Sequence, residues 1–238
     1  MRLTGQRRDI AADDGLDSGS MCGRYLLPGE ADIEREFQIV GSRVGDPLRP
    51  AHTVAPTQDV AVVHGVAGQR ELVRMRWGLI PHFAHGEPGG YATFNARIET
   101  LRTSPAYRSA WRRGQRCLVP ATGFYEWQVV PGGKQPWYIG CADQSLLAFA
   151  GIWDRSTPPS GTPVLSVTVI TLPASPLMAE IHNTKQREPA ILHRAQHDTW
   201  LFGTPDEAFA CLAPYPDELR SAWPVERDIP RAARPYSQ

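Results

Sequence analysis

The segment RCLVPATGFYEWQVVPGGKQPWYIG, residues 116–140, carries the strongest structural signal in this chain. It contains three apolar or aromatic runs of strand length, at residues 116–119, 124–129 and 137–140. Such runs favour β-structure when turn residues separate them. Pro131-Gly132-Gly133-Lys134 stands between the last two runs, so the sequence predicts a β-hairpin with its turn at these residues.

Strand patterns continue on both sides of this segment. Residues 72–77 alternate Val73, Met75 and Trp77 with two arginines, which is typical of a strand with one buried face. Further strands are predicted at residues 60–64, 146–150 and 164–171, and helices at residues 31–39, 104–112, 175–182, 197–201 and 205–212. The predicted fold class is therefore α+β, a mainly antiparallel β-sheet or barrel-like core with flanking helices.

The composition restricts the possible functions. With 238 residues, 42% of them hydrophobic and 21% charged, the chain is typical of a globular protein. No apolar run approaches the roughly 18 residues that a membrane span needs, and residues 1–20 lack the apolar stretch of a signal peptide. We therefore expect a cytoplasmic protein without a membrane partner. The four cysteines are widely spaced and form no CxxC pair, so neither a metal nor another cofactor is predicted.

The chain is predicted to form one domain. Residues 1–20 are polar and rich in Asp, Gly and Ser, which is typical of a disordered leader or of a start assigned too early. Residues 21–225 show neither an internal repeat nor a convincing linker, and residues 226–238 are interpreted as a C-terminal tail. We expect a monomer.

The motif Met21-Cys22-Gly23-Arg24-Tyr25 places a cysteine directly after an internal methionine. If the mature chain began at Cys22, that residue would carry a free α-amine beside its thiol, and the two groups could close a thiazolidine on one aldehyde carbon. An α-amine titrates near 8, against about 10.4 for lysine, so roughly 250 times more of it is neutral at pH 7. The motif therefore indicates chemistry on an aldehyde.

Four further motifs follow in order and give the chain a specific resemblance. They are Trp77-Gly78-Leu79-Ile80-Pro81, Asn95-Ala96-Arg97, Gly123-Phe124-Tyr125-Glu126-Trp127, and Ile181-His182 followed by Pro189-Ala190-Ile191-Leu192. Together with the cysteine motif they resemble the SRAP family, the abasic-site processing proteins that crosslink themselves to abasic sites in single-stranded DNA. The resemblance runs from Met21 to about Leu192.

The resemblance implies roles for individual residues. Cys22 matches the family's crosslinking cysteine, and Asn95, Glu126 and His182 match its active-site asparagine, glutamate and histidine. Arg24 and Arg97 match arginines that hold DNA phosphates. The implied partner is single-stranded DNA containing abasic sites, and the implied activities are capture of the lesion in a DNA damage response, self-cleavage before Cys22 and a lyase-type reaction.

The residue types agree with these roles. Only the ring-opened form of an abasic deoxyribose is an aldehyde, and histidine is suited to donate a proton to the ring oxygen. Imine formation needs proton transfers that a carboxylate can supply, while asparagine can orient an amine or a hydroxyl without titrating. Single-strand binding usually adds aromatic surfaces to cations, for which Phe83 and Trp127 are candidates.

Simpler interpretations exist for each residue. Cys22 could be a buried thiol, Glu126 a solvated strand residue, His182 a cap on the carbonyls at a helix end, and Asn95 an N-cap for a helix starting at Ala96. Two other functions also remain open. An N-terminal cysteine hydrolase or amidotransferase would use Cys22 on an amide, and a non-catalytic binding module would not need Cys22.

Two departures from the family pattern bear on the chemistry. While residues 1–21 are attached, the nitrogen of Cys22 is an amide and cannot form an imine. Translation from Met21, trimming by another enzyme, or self-cleavage would each expose it. The chain between His182 and Pro189 is also longer than is usual in the family, and Glu188 stands where methionine is common.

Overall fold

The computed structural model describes residues 23–45, 51–89, 92–159, 161–227 and 229. Its strands are, in chain order, β1 (Tyr25–Leu27), β2 (Gly41–Arg43), β3 (Ala51–Val54), β4 (Asp59–Val66), β5 (Gln69–Trp77), β6 (Asn95–Arg97), β7 (Arg116–Ala121), β8 (Gly123–Val130), β9 (Gly133–Cys141), β10 (Leu147–Ser156), β11 (Val164–Pro173), β12 (Arg187–Pro189) and β13 (Arg220–Pro224). Its α-helices are α1 (Glu30–Phe37), α2 (Ile98–Leu101), α3 (Arg108–Arg112), α4 (Pro176–Ile181), α5 (His197–Phe202) and α6 (Pro205–Ala210).

The larger sheet closes into a barrel. Strands β11, β10, β7, β4 and β5 are neighbours in that order, and all of these pairs are antiparallel. The barrel closes where β5 meets β11 in parallel, with Arg76 opposite Ser166 and Trp77 opposite Val167. Strands β12 and β6 extend this sheet from β11, and β2 extends it from β5. The predicted α+β fold with a mainly antiparallel, barrel-like core is confirmed.

The second sheet contains the predicted hairpin. Its strand order is β13-β9-β8-β1-β3, with antiparallel pairing throughout. Val130 pairs with Gly133, so the turn is formed by Pro131 and Gly132. Gly132 has a φ of 86°, a conformation that glycine adopts without a steric penalty, whereas other residues rarely do. The turn therefore lies within the segment that the sequence indicated.

An aromatic cluster joins the two sheets. The ring of Tyr25 on β1 lies 5.2 Å from that of Trp77 on β5 and 5.7 Å from that of Phe149 on β10. Phe124 on β8 contacts Phe149 edge to face at 5.8 Å. All four side chains are buried. Edge-to-face contacts of this kind add to the hydrophobic stabilisation of a core, so the cluster fixes how the two sheets pack.

The predicted helices form, with shifted boundaries. Ile33 and Phe37 are both buried on α1, as their spacing predicted. The helix predicted at residues 104–112 is restricted to α3, which begins at Arg108. The side chain of Ser175 caps α4 by accepting a hydrogen bond from the Met178 amide at 3.3 Å.

The interpretation of Asn95 as an N-cap is wrong. Residues Asn95–Arg97 form β6, and α2 begins only at Ile98, with Arg97 at the N-cap position. The parallel pairing of β6 with β11 places Asn95 opposite Val169 and Arg97 opposite Thr171. These inter-strand bonds hold the Asn95 backbone in an extended conformation.

Two general expectations can be compared with the described residues. Cys117, Cys141 and Cys211 are buried free thiols, as their apolar contexts suggested. Within the described part of the chain, no helix is long and apolar enough to cross a membrane.

Candidate active site

Glu126 is a buried carboxylate on β8. Alternation along the strand turns Phe124 and Glu126 to the inner face, while Tyr125 and Trp127 face outward. Only 2% of the Glu126 surface is exposed, so its interpretation as a solvated glutamate is wrong. A carboxylate is costly to bury unless polar groups compensate it, which indicates a specific role for this side chain.

His182 faces Glu126 from the end of α4. It is 5% exposed, and its Nε2 lies 4.0 Å from Oε2 of Glu126. Its Nδ1 lies 3.1 Å from the carbonyl oxygen of Arg187. Since a carbonyl only accepts, Nδ1 carries the hydrogen, and in the neutral ring Nε2 presents a lone pair towards Glu126.

This geometry corrects the simpler interpretation of His182. Its side chain bonds to the carbonyl of Arg187 on β12 and not to a carbonyl at the end of α4. The helix end is instead satisfied through the backbone, because the His182 amide donates to Met178 and the His182 carbonyl accepts from Gln186. The imidazole is therefore free to act on a group outside the helix.

The strand that carries the Arg187 carbonyl is itself held on two sides. The Arg187 guanidinium donates to the carbonyl of Thr171 at 2.8 Å and to both carboxylate oxygens of Glu99. The bond from Arg187 lowers the pKa of Glu99 below its ordinary value. These contacts join β12 to β11 and to α2. The Arg187 carbonyl oxygen, which accepts the hydrogen bond from the His182 ring, therefore has a fixed position.

A buried ion pair holds the next residue of β12. Glu188 and Arg220 are both fully buried at their side chains, and Arg220 Nη2 donates to Glu188 Oε1 at 2.7 Å. The other carboxylate oxygen accepts from the Ser175 amide at 2.9 Å, directly before α4. Asp217 also binds this region, accepting from the Ser175 hydroxyl at 2.6 Å. Glu188 thus connects β12, β13 and the start of the helix that carries His182.

Sequence reasoning missed this ion pair. Glu188 was noted only as a departure from the family pattern, and Arg220 lies in a strand that no periodicity predicted. The available signal was weak, because Glu188 stands directly before the apolar run PAIL but follows the polar residues Lys185, Gln186 and Arg187. Nothing local in the sequence identifies its partner 32 residues away.

The described chain begins beside Glu126. Tyr25 pairs with Phe124 and Leu26 with Gly123, and the Tyr125 amide donates to the Arg24 carbonyl at 3.1 Å. Following this antiparallel register backward from Tyr25 leads along β8 towards Glu126. Cys22, the predicted nucleophile, lies outside the described residues.

The predicted DNA-binding residues lie in separate places. The Arg24 guanidinium carbon lies 5.6 Å from the centre of the half-buried Trp127 ring, a cation–π contact on the outer face of the sheet. Arg97 is exposed on β6, next to Thr171 near one end of β11. Phe83 is half exposed in a 3₁₀ turn beyond β5, and it packs on His82 with 5.4 Å between ring centres.

Asn95 is partly buried, and its strand is fixed through the backbone. The Tyr107 hydroxyl donates to its carbonyl oxygen at 3.2 Å. Opposite Asn95, Val169 lines a small apolar cavity with Tyr25, Phe124 and Pro189. These three residues lie one or two positions along the chain from Arg24, Glu126 and Glu188, respectively. Asn95 is thus connected to the inner face of the site through β11.

The donor set does not suggest a metal centre. In the described ranges, no three His, Cys, Asp or Glu residues cluster in a way that could hold a metal ion. The inner site consists of a carboxylate and an imidazole, a pair suited to proton transfer.

Comparisons with solved structures agree with this fold. The chain is similar to a crystal structure of a protein from Bordetella bronchiseptica, with a TM-score of 0.75 and 27% identity over 86% of this chain and 100% of that one. A crystal structure of a protein from Bacteroides thetaiotaomicron gives the same TM-score at 26% identity, covering 87% and 93% of the two chains.

Sequence comparisons identify the family. The chain is 35% identical over 210 residues to the abasic site processing protein YoqW of Bacillus subtilis, which covers 86% of this chain and 92% of the relative. It is also 35% identical to the abasic site processing protein HMCES of Xenopus tropicalis over 213 residues, covering 72% and 63% of the two chains. The family model for SOS response associated peptidase (SRAP) matches residues 21–232. The chain therefore belongs to the SRAP family.

Proposed function

We propose that this protein processes abasic sites in single-stranded DNA, capturing the ring-opened deoxyribose as a thiazolidine on the α-amine and thiol of Cys22. It would act as a monomer in a DNA damage response and shield the lesion from strand cleavage. The names of its relatives support abasic-site processing as the substrate class.

One observation carries the chemical proposal. Glu126 and His182 come from different elements, are both buried, and approach to 4.0 Å, and Glu126 lies on β8, the strand that pairs with β1. This separation exceeds a hydrogen bond, so the two groups can each address a different atom of a substrate. A structural ion pair would instead be expected at contact distance.

The reaction would then proceed in three steps. His182, protonated at Nε2, gives its proton to the ring oxygen while the Glu126 carboxylate accepts the proton of the C1′ hydroxyl, and the sugar opens to an aldehyde. The Cys22 α-amine adds to C1′, and with proton transfer through Glu126 a water molecule leaves to form an iminium. The Cys22 thiolate adds to the iminium carbon and closes the thiazolidine. No oxidant or cofactor enters this sequence.

The remaining predicted residues would bind the strand. Arg24 and Arg97 carry charge on the surface, suited to phosphates on either side of the lesion. Trp127, below the Arg24 guanidinium, and the half-exposed Phe83 would offer stacking surfaces for bases. Asn95 would orient the α-amine or a sugar hydroxyl.

Residues 21–225 would form the functional domain, with residues 1–20 a leader and residues 226–238 a tail. Self-cleavage is one route to the free Cys22 amine. The Cys22 thiol would attack the Met21 carbonyl, the peptide nitrogen would leave as the α-amine, and water would hydrolyse the resulting thioester. The iminium would also allow β-elimination of the 3′ phosphate, a lyase-type reaction.

The first experiment determines the N-terminus of the purified protein by intact mass, and then mixes the protein with single-stranded DNA carrying one abasic site. We expect Cys22 at the terminus and a DNA adduct that survives boiling. Cys22→Ala should abolish this adduct. Because its terminal amine remains, borohydride should still trap an imine, which separates the role of the amine from that of sulfur.

Two controls make the result decisive. Cys211→Ala removes another thiol and should leave the adduct unchanged. A protein that retains Met1 should form neither product. A boil-stable adduct that persists in Cys22→Ala would contradict the proposal, and an acyl-enzyme formed without DNA would favour the hydrolase alternative.

A further inference from the structure

An aromatic row crosses the outer face of the five-stranded sheet. It consists of Tyr125 on β8, Tyr138 on β9 and Trp223 on β13, which are directly opposite one another in the strand register. The Tyr125 and Tyr138 ring centres are 5.9 Å apart, and those of Tyr138 and Trp223 are 4.6 Å apart. The first contact is edge to face, at 68° between the ring planes, and the second is tilted by 37°, so the row is a contiguous aromatic surface made of rings in different orientations.

The row begins on β8, the strand that also carries Glu126. Arg24 is bonded to Tyr125 through the backbone and places its guanidinium over Trp127, two residues further along β8. Neighbouring strands lie about 4.8 Å apart, so the row leads about 14 Å from Arg24 across the sheet to Trp223. Glu126 points to the opposite face of the same strand. A strand that reaches Arg24 and Trp127 on the outer face would therefore have the row beside it.

Two glycines hold the Tyr138 ring flat against the sheet. A methyl group at Gly123 would lie 2.4 Å from the Tyr138 hydroxyl oxygen, and one at Gly140 would lie 3.0 Å from the ring. The hydroxyl donates to the Thr122 carbonyl at 3.1 Å, which fixes the ring in this position. Any larger side chain at Gly123 would displace the ring, so Gly123 of the GFYEW motif has a defined structural role.

A cleft of about 380 Å³ opens at the end of the row. Tyr138 and Trp223 are its aromatic lining residues, and Thr122, Gln144 and Ser221 are its polar ones. Trp223 is 48% exposed, a large fraction for a tryptophan. Flat aromatic faces with a few hydrogen-bonding groups are what a nucleobase requires.

We infer that the Tyr138–Trp223 cleft binds a base of the single strand that flanks the lesion. The inference rests on the proposed function, because it takes single-stranded DNA as the ligand. It adds a binding site on the outer face, away from the inward-facing pair of Glu126 and His182. The occupant is a nucleobase that remains part of the strand, since the row is continuous with the Arg24 and Trp127 surface.

The test uses single strands with a tetrahydrofuran abasic analogue and one 2-aminopurine, moved stepwise away from the analogue on either side. Stacking on an aromatic side chain quenches 2-aminopurine. We expect quenching at one defined position. Trp223→Leu should restore the fluorescence there and weaken strand binding by about ten-fold, while Trp223→Phe should retain both signals.

Phe202→Leu is the matched control, because Phe202 is an exposed aromatic residue on α5, outside this sheet. It should change neither signal. If no position shows quenching that depends on Trp223, the inference is wrong. Free deoxyadenosine monophosphate and an unlabelled strand are then added as competitors. If the mononucleotide removes the Trp223-dependent quenching as effectively as the strand does, the site is one for mononucleotides and the inference is likewise wrong.

The crosslinking assay with a natural abasic site is run on the same variants. Trp223-dependent quenching without any boil-stable adduct would support the base site and contradict covalent capture. An adduct without Trp223-dependent quenching would support covalent capture and contradict the base site. The two proposals can therefore fail separately.

Discussion

Glu126 and Glu188 are both almost fully buried, yet their surroundings differ in kind. Glu188 is in contact with the permanent charge of Arg220 at 2.7 Å and also accepts a backbone amide. Glu126 lies 4.0 Å from His182, whose charge depends on protonation. The comparison separates a carboxylate that holds elements together from one for which we propose a role in proton transfer.

The largest effect is expected from Arg220→Met. Removing the guanidinium leaves the Glu188 charge buried without its partner, which costs about 3–5 kcal/mol in the free energy of unfolding. The double variant Glu188→Met/Arg220→Met should recover most of this loss, because a packed apolar pair can replace a buried ion pair. Denaturant unfolding, monitored by tryptophan fluorescence, measures the loss in the single variant and the recovery in the double variant.

The control for this prediction is Arg35→Met. Arg35 is paired with Asp32 at the surface of α1, and such exposed pairs contribute little. It should unfold like the unmodified protein. If Arg220→Met were as stable as the unmodified protein, the buried ion pair would not distinguish the structural role of Glu188 from that of Glu126.

Glu126→Gln tests the other side of the comparison. We expect adduct formation to slow about 100-fold, because general acid–base catalysis contributes at least that factor. The unfolding free energy should change by less than about 1 kcal/mol, because glutamine keeps the size of the side chain and its ability to accept hydrogen bonds. Single-turnover adduct assays and denaturant unfolding provide the two readouts.

Glu180→Gln, an exposed position on α4, is the matched control and should change neither quantity. If Glu126→Gln destabilised the protein as strongly as Arg220→Met while leaving the rate intact, Glu126 would be structural like Glu188.

His197 is a third buried titratable residue, and it shows how burial changes a pKa outside the candidate active site. His197 stacks on Phe37, and desolvation, reinforced by nearby Arg70, lowers its pKa from 6.5 to about 4. The unfolded chain therefore binds an extra proton between these two values, so stability is lost as the pH falls from 6.5 towards 4. At pH 5 the loss from this group is about 2 kcal/mol.

Unfolding free energies at pH 7 and pH 5 measure this loss. His197→Phe should reduce the difference between the two pH values, because it keeps the aromatic packing and removes the titration. His85→Gln, at an exposed position, serves as the control. An unchanged pH dependence in His197→Phe would assign the acid sensitivity to other groups.

The smallest effect is expected at the start of α4. Ser175→Ala removes the cap on the Met178 amide and the bond to Asp217, which should cost about 1 kcal/mol. Since α4 carries His182, adduct formation should slow only slightly. Thermal unfolding measures the first effect, with Ser175→Asn as the variant that preserves a cap. A rate loss as large as that of Glu126→Gln would show that the helix end positions the imidazole directly.

Long strands were predictable because their patterns are local. The predicted segments at residues 72–77 and 164–171 lie within β5 and β11, where alternation or a continuous apolar run distinguishes a strand. Strands β6 and β12 are three residues long and β13 is five. Periodicity has little meaning over such lengths, and these strands exist because β11 and β9 offer them partners.

Individual site residues show the same division. The motifs identified Glu126 and His182 as candidates, yet the residue types alone allowed a solvated carboxylate and a helix cap. Their burial and separation result from two strands and a helix meeting in space. The residue type of Asn95 also allowed a helix cap, and the parallel pairing with β11 overrode that preference.

The sequence by itself determined the family, the order of the motifs and the residue types available for chemistry on an aldehyde. It also determined that Glu126 and Tyr125 point to opposite faces of their strand, because side-chain direction in a strand repeats every two residues. Only the tertiary structure decided that Glu188 meets Arg220, that the Arg187 carbonyl orients His182, and that Tyr125, Tyr138 and Trp223 form a row. These relations depend on the register between distant segments, which is set by the packing of the whole sheet and is not encoded in any local pattern.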